Sequence, residues 1–233
     1  MENTKRSRVA RFFRFGLKSL FYFIIGSILW VCIYAVVPVP STLTMLFDGN
    51  GAARDWTSLS GLSPNVVRAV IGAEDAKFCR HDGFDREAIE QAYQRNANGK
   101  RVRGGSTISQ QTAKNVFLWQ GSGWTRYLRK VPEVWFTFLI ENIWGKRRIM
   151  EVYLNVAETG IGTYGAEAGA QRYFKKSAQN LSLVEAARIA AALPSPKKRA
   201  VNGARGFTRR YGNSIAARIG VVQREGLDLC IYK

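Results

Sequence analysis

The sequence predicts a mainly α-helical domain attached to one N-terminal membrane-spanning helix. An uncharged apolar run occupies residues 20–37, and beyond residue 63 apolar residues recur at helical rather than alternating spacing, between recognisable helix start and stop signals. At 233 residues, 46% of them hydrophobic, the chain has room for one sizeable domain in addition to the anchor. We predict a basic tail over 1–18, a transmembrane helix over 19–37, an irregular membrane-proximal segment over 38–62 and a globular domain over 63–233.

The apolar run is long enough to cross a bilayer. As a helix rising about 1.5 Å per residue it would span about 27 Å, close to the hydrocarbon thickness of a membrane. A cleaved signal peptide is the alternative, but its apolar region is usually shorter and ends in small residues, whereas this run ends in Pro38-Val39-Pro40. The positive-inside rule places the N-terminus in the cytoplasm and the rest of the chain on the opposite face, because the preceding segment carries Lys5, Arg6, Arg8, Arg11, Arg14 and Lys18.

Capping signals divide the remaining chain into helices. Ser63-Pro64 combines an N-cap residue with proline at the first helical position, so a helix should begin there and end at Glu74 and Asp75. Asp85 predicts the N-cap of a second helix, which Asn98-Gly99 should stop. Further helices are expected at about 107–119, 125–143, 146–158, 183–193, where a capping box at Ser182 opens the helix, and 208–224.

Charge and cysteine content restrict the partners. A net charge of +18 requires an anionic partner, which is a nucleic acid, an anionic membrane surface or a phosphorylated substrate. Three cysteines predict no disulfide framework, although Cys79 and Cys230 could pair in an oxidising compartment. A single histidine and the absence of zinc-ligand spacing exclude a His-rich metal site.

The scarce acidic residues gather in one place. Residues 74–85 contain Glu74, Asp75, Asp82, Asp85 and the only histidine, His81. Asp82 and Asp85 are explained as a turn residue and a helix cap. Glu74 and Asp75 lie at a helix C-terminus, which already carries partial negative charge, so one of the two should ionise reluctantly. A carboxylate with a raised pKa is suited to general base catalysis.

A second group of residues favours an anionic ligand. Gly104-Gly105 precedes a predicted helix whose first N–H groups should be unpaired, and this geometry binds anions. Thr107, Gln111 and Lys114 follow at helical spacing and share one face. Such a face suits a phosphate or pyrophosphate joined to a sugar. An ordinary solvated helix face is the alternative.

A third group comprises Arg129, Lys130 and Glu133. The i,i+4 spacing of Arg129 and Glu133 favours a surface ion pair. Because the apolar run VWFTFLI follows Glu133, a partly desolvated carboxylate is the alternative. Pro132 should either kink this helix or mark its beginning.

These groups belong to four motifs that occur in the order and spacing of a known family. The sequence resembles the peptidoglycan glycosyltransferases, a family that includes the glycosyltransferase domain of class A penicillin-binding proteins, and the match covers about residues 60–197. The motifs are Glu74-Asp75-x-x-Phe78-x-x-His81-x-Gly83-x-Asp85, Gly104-Gly105-Ser106-Thr107-x-x-Gln110-Gln111-x-x-Lys114-Asn115, Arg129-Lys130-x-x-Glu133 and Lys146-x-x-Ile149-x-Glu151-x-Tyr153-Leu154-Asn155.

The resemblance implies a lysozyme-like helical fold in an inner-membrane protein whose catalytic domain faces the periplasm. The implied substrates are lipid II and a growing lipid-linked glycan, and the implied partners are cell-wall synthesis or division proteins rather than nucleic acid. No organic cofactor is implied, and Mg²⁺ or Mn²⁺ could act at the pyrophosphate.

The resemblance also implies roles for individual residues. Glu74 is the implied base that deprotonates the acceptor hydroxyl, and Glu133 supports the donor end near the leaving pyrophosphate. The implied phosphate-binding residues are Thr107, Gln111, Lys114, Arg129 and Lys130, and those that shape the site are Asp75, Phe78, His81 and Asn115.

Two other functions remain open at the level of sequence. A membrane-anchored, lysozyme-like glycan hydrolase would use two carboxylates on a similar helical domain. A non-enzymatic basic protein that binds anionic lipid would account for the charge but not for Glu74 and Glu133.

Overall fold

The structure is a computed structural model that describes residues 2–97, 105–121 and 123–232, and the side chains of all of these except 2–10 and 95–97. The chain divides into two compact units, Met1–Val37 and Pro38–Lys233. In the first unit, helix α1 runs over Glu2–Val36, so the basic segment and the apolar run form one continuous helix. The part Arg11–Val36 is apolar enough and long enough to cross a membrane.

The second unit is mainly α-helical, as predicted. Its short strands form one three-stranded sheet of order β1-β3-β2, in which β3 pairs parallel with β1 and antiparallel with β2. In chain order its elements are α2 Leu43–Leu46, β1 Ala53–Arg54, a 3-10 turn Leu59–Gly61, α3 Pro64–Glu74, a 3-10 turn Phe78–Arg80, α4 Arg86–Ala97, α5 Ile108–Phe117, α6 Thr125–Ile143, α7 Gly145–Val156, β2 Glu158–Gly160, β3 Thr163–Tyr164, α8 Ala166–Phe174, a 3-10 turn Ala178–Asn180, α9 Leu183–Ala192 and α10 Gly206–Arg224.

The local signals in the sequence place most helix ends. The Ser63 hydroxyl caps α3, the Asp85 carboxylate accepts a hydrogen bond from the Ala88 N–H at the start of α4, and Ser182 forms the predicted capping box on α9. Pro132 lies inside the 19-residue helix α6, so the prediction that it could mark a helix start is wrong. The predicted stop of α4 at Asn98-Gly99 lies outside the described residues.

Two groups of packed helices form the core and position the site. Helix α3 packs against α9 and α10, while α5 packs against α6 and α7. The buried face of α3 consists of Val66, Val67, Val70 and Ile71, each at most 1% exposed, and this packing fixes where the C-terminal end of α3 points. Ile108 on α5 and Ile149 on α7 are fully buried, so the N-terminal half of α5 is held equally firmly.

Cys79 and Cys230 form a disulfide, which is the one pairing that the sequence left open although the odd cysteine count implied no disulfide framework. Their Cα atoms lie 5.5 Å apart although 151 residues separate them in sequence. The bond joins the turn after α3 to the segment after α10. The third cysteine, Cys32, is a free thiol in α1.

Candidate active site

The carboxylate of Glu74 lies at the C-terminal end of α3, where a relay from two other helices holds it. The Gln111 side chain on α5 donates a hydrogen bond from Nε2 to Oε2 of Glu74, at 3.0 Å. The Tyr153 hydroxyl on α7 donates to the Gln111 Oε1 atom, at 3.3 Å. Because Tyr153 occupies the amide oxygen, the amide nitrogen of Gln111 is directed at the carboxylate.

Burial raises the pKa of the Glu74 carboxyl above its ordinary value. The Gln111 amide and the positive charge of Arg199 oppose this rise, and the negative charge of Asp75 adds to it. The expectation that one of the two adjacent acids ionises reluctantly is therefore confirmed for Glu74. Desolvation, rather than repulsion by Asp75, is the main cause.

Asp75 has a different role, since its carboxylate is almost fully bonded within the protein. Both of its oxygens lie 3.0 Å from Nε2 of His81, and Oδ2 also accepts a hydrogen bond from the Ile108 N–H at the start of α5. The Gly83 N–H donates to Nδ1 of His81, so the imidazole hydrogen lies on Nε2 and points at Asp75. Asp75 thus connects the end of α3, the following turn and the start of α5.

The start of α5 was predicted to bind an anion through unpaired N–H groups, but several of these groups are bonded within the protein. Thr107 and Gln110 form a reciprocal capping box, in which each side chain accepts a hydrogen bond from the backbone N–H of the other. The Thr107 hydroxyl also donates to the Gly83 carbonyl, at 2.7 Å. With the Ile108 N–H bonded to Asp75, the expectation of unpaired N–H groups is wrong for Thr107, Ile108 and Gln110, whereas Gly104 lies outside the described residues. The protein supplies its own carboxylate at this helix N-terminus.

Phe78 and Lys146 support the turn that carries His81. The Phe78 ring is fully buried, and the Lys146 ammonium lies 4.7 Å from the ring centroid, within the range of a cation–π contact. The same ammonium donates hydrogen bonds to the His81 carbonyl and to the Glu141 carboxylate. Phe78 and His81 are therefore placed by side chains from α6 and α7.

A cationic group with one buried carboxylate lies on α6. Glu133 is 2% exposed, and its oxygens lie 2.5 Å from Nζ of Lys130 and 3.5 Å from Nε of Arg129. Arg129 is itself buried, whereas about half of the Lys130 side chain is exposed. The interpretation of Arg129 and Glu133 as a surface ion pair is therefore wrong, because the predicted pair forms but in the protein interior.

Lys114 follows Gln111 by three residues on α5, the helix that packs against α6. Burial lowers the pKa of its ammonium, and the neighbouring positive charge of Arg129 lowers this pKa further. The carboxylates of Glu133 and Glu74 act in the opposite direction and raise it. A cation influenced by both glutamates lies within electrostatic range of each. The next residue, Asn115, is partly buried on the same helix. The site thus combines a carboxylate from α3 with cations from α5 and α6.

Two residues of the site were missed by the sequence reasoning. Tyr153 lies in the fourth motif, so a signal was present, but its hydroxyl was not assigned to Gln111. Arg199 follows α9 outside the four motifs and donates a hydrogen bond to the Ala191 carbonyl. Its guanidinium lies 5.4 Å from the ring centroid of Tyr211, whose hydroxyl donates to the carbonyl of Ala73, the residue before Glu74.

Comparison with known proteins shows the family to which the chain belongs. Residues 41–219 match the family model described as transglycosylase. The chain belongs to the transglycosylase family. It is 48% identical over 227 residues to a biosynthetic peptidoglycan transglycosylase of Caulobacter vibrioides, covering 96% of this chain and 98% of that protein. It is also 44% identical to the protein of the same description from Bdellovibrio bacteriovorus, covering 92% and 90% of the two chains. The resemblance and the lysozyme-like, mainly α fold class are thereby confirmed.

The charge of Arg199 should affect the pH dependence of this transglycosylase. Glu74, the base implied by the resemblance, would work in its ionised form. Removing the positive charge of Arg199 raises the pKa of Glu74 further. We therefore expect Arg199→Met to move the acid limb of the kcat/KM profile to higher pH, measured as initial polymerisation rates across the pH range. Arg199→Lys retains the charge and is the matched control. Coincident acid limbs for Arg199→Met and the unsubstituted protein would contradict this expectation.

Proposed function

We propose that this protein polymerises lipid II into glycan strands, with loss of undecaprenyl pyrophosphate and inversion at the sugar carbon. The single observation that carries the proposal is that helix α5 joins the two charged groups: its Gln111 bonds to the desolvated carboxylate of Glu74, and α5 packs against α6, which carries the buried Arg129–Glu133 pair. A base on one side and cations on the other are what inverting transfer from a pyrophosphate donor requires. Membership of the transglycosylase family supports the same reaction class.

In the proposed reaction, Glu74 removes the proton from the acceptor sugar hydroxyl. The hydroxyl oxygen forms a bond to the anomeric carbon of the donor, and the bond from that carbon to the pyrophosphate oxygen breaks. The electron pair leaves with the pyrophosphate, and the proton remains on the Glu74 carboxyl. A carboxylate with a raised pKa accepts this proton more readily at neutral pH.

Lys114, Arg129 and Lys130 stabilise the charge on the leaving pyrophosphate. Glu133 supports them by holding Arg129 and Lys130 through its two oxygens. Nε of Arg129 and Oε2 of Glu133 are both buried and lie 3.5 Å apart, so they form an ion pair without a hydrogen bond. Because pyrophosphate is a good leaving group, these cations replace the general acid that an alcohol leaving group would need.

The outer face of α6 supports a membrane-bound substrate. Five of its apolar side chains are at least half exposed, and four of them recur every three to four residues, so they form one face opposite Arg129 and Glu133 with Leu128 at its edge. Exposed apolar surface of this kind marks contact with a membrane or with another apolar partner. We assign it to the bilayer and the lipid tail of the substrate. The residues are Tyr127, Leu128, Val131, Val134 and Phe138.

The proposed topology places residues 1–18, which include the first part of α1, in the cytoplasm, residues 19–37 across the inner membrane and the domain from residue 38 onward in the periplasm. The basic residues before the apolar run support this orientation through the positive-inside rule. The Cys79–Cys230 disulfide supports it independently, because disulfides persist in oxidising compartments. Cell-wall synthesis or division proteins are the proposed partners there.

A divalent cation is assigned to the substrate. Within the described residues there is no group of three or more His, Cys, Asp or Glu side chains arranged to hold a metal ion. We therefore propose that Mg²⁺ or Mn²⁺ acts through the pyrophosphate oxygens, to which oxygen-preferring cations bind readily.

Incubation of the purified full-length chain with labelled lipid II in detergent tests the proposal. We expect a labelled polymer that a muramidase digests to disaccharide units. A hydrolase would instead shorten preformed glycan and leave lipid II unchanged, and a non-enzymatic lipid-binding protein would alter neither. Either of these results would reject the proposed function.

A further inference from the structure

The Cys79–Cys230 disulfide joins the turn of the first motif to the segment that follows α10. Cys79 belongs to the turn Asp75–His81, whose first and last residues bond to each other through the carboxylate and the imidazole. The backbone of this turn is held by short-range bonds, from the Phe78 N–H to the Asp75 carbonyl and from the Arg80 N–H to the Lys77 carbonyl. The turn therefore depends on contacts from other parts of the molecule for its position.

The other half of the disulfide belongs to the C-terminal segment, residues 225–232. Asp228 of this segment forms an ion pair with Arg68 on α3, at 2.7 Å, and the carbonyl of Ile231 accepts a hydrogen bond from Arg147 on α7. Ile231 is fully buried. The segment is thus anchored to the two helices that supply Glu74 and Tyr153.

The disulfide connects this anchored segment to the turn. Apart from the covalent bond, the described contact between the two cysteines is one weak hydrogen bond from the Cys230 N–H to Sγ of Cys79, at 3.3 Å. Breaking the disulfide would leave the C-terminal segment attached to α3 and α7 but would remove the covalent restraint on the turn.

We propose that Cys79 and Cys230 are positioning residues for glycosyl transfer, and that their disulfide holds the Asp75–His81 turn in its active geometry. This inference rests on the proposed function, since it assumes that Glu74 is the base and that Asp75 and His81 shape its surroundings. The donor-binding cations belong to α5 and α6, and neither helix contains a cysteine of the disulfide. Its loss should therefore lower kcat while the KM for lipid II is maintained.

The experiment compares the oxidised full-length protein with the same protein after reduction by dithiothreitol. Reduction adds one electron and one proton to each sulfur, and the reagent becomes its cyclic disulfide. We expect kcat to fall about tenfold, because small displacements of catalytic groups are costly, with an unchanged KM for lipid II. Reoxidation should restore kcat. Rates are measured at a temperature at which circular dichroism shows equal helix content in both forms.

Two variants separate positioning from other effects of the reductant. Cys79→Ala/Cys230→Ala should have the low kcat of the reduced protein and should not respond to dithiothreitol. Cys32→Ala removes the free thiol of α1. The kcat of this variant should fall with dithiothreitol as much as that of the unsubstituted protein, since both retain the disulfide.

Four results would overturn the positioning role, the disulfide or the underlying function. Equal kcat in the oxidised and reduced forms would overturn the positioning role while leaving the polymerase function intact. A fall in helix content that matches the fall in apparent kcat would also overturn it, since unfolding lowers the active fraction without changing KM and the bond would then serve only stability. Alkylation of Cys79 and Cys230 by maleimide without prior reduction would overturn the disulfide itself. Failure of the oxidised protein to make polymer would reject the underlying function instead.

Discussion

We expect Glu74→Gln to reduce polymerisation of lipid II by about 10²- to 10⁴-fold, the range associated with loss of a general base. The substitution preserves the size of the side chain and removes its ability to accept a proton. Gln111 can still donate a hydrogen bond to the new amide oxygen, so the relay from Tyr153 should persist. The measurement is the initial rate of glycan formation, together with circular dichroism to establish that the helical fold is retained.

Glu90→Gln is the matched control for this substitution. Glu90 is exposed on α4 and accepts a hydrogen bond from Gln94, so its neutralisation changes the net charge equally without altering the site. The control should retain the full rate. A Glu74→Gln protein that polymerises lipid II at the unsubstituted rate would mean that another group is the base.

Lys114→Met should weaken donor binding much more than removal of a lysine charge outside the site. A hydrogen bond to a charged group contributes about 1.5–3 kcal/mol, which corresponds to about a 10- to 100-fold change in affinity. Methionine retains an unbranched apolar side chain, and the loss of the ammonium relieves its repulsion with Arg129. We therefore expect the helical fold to be maintained while the Kd for a pyrophosphate-bearing donor analogue rises, as measured by isothermal titration calorimetry.

Lys198→Met provides the comparison, because Lys198 is exposed and lies outside the site residues. It removes one positive charge from a strongly basic protein, so it reveals how much of the affinity depends on net charge alone. We expect it to bind the analogue with nearly unchanged Kd. If the two variants bind equally well, Lys114 does not contact the donor pyrophosphate.

The helices were predictable because their ends are determined by neighbouring residues. Ser63, Asp85 and Ser182 each cap the helix predicted for them, since a cap requires only a side-chain oxygen close to the first N–H groups. The glycine-led start of α5 was harder to predict. Its N–H groups looked available for a ligand, but Asp75, 33 residues earlier in the chain, supplies an acceptor for one of them.

The extent to which the charged side chains are buried is the property that the sequence did not predict correctly. The spacing of Arg129 and Glu133 correctly predicts that they pair, because four residues make about one turn of a helix. It does not predict whether the pair faces solvent or the interior, and packing of α6 against α5 and α7 places it inside. The raised pKa of Glu74 likewise arises mainly from burial, whereas its charge pattern suggested repulsion by Asp75.

The sequence by itself determined the helical class, the apolar anchor, the family and the residues from which a site could be built. These follow from periodicity, capping and motif spacing, all of which act over a few residues. Only the tertiary structure decided that Tyr153 orients Gln111, that Lys114 comes within electrostatic range of two glutamates and that Cys79 reaches Cys230. Such contacts join residues far apart in the chain, and they depend on how apolar helix faces pack, which local spacing does not specify.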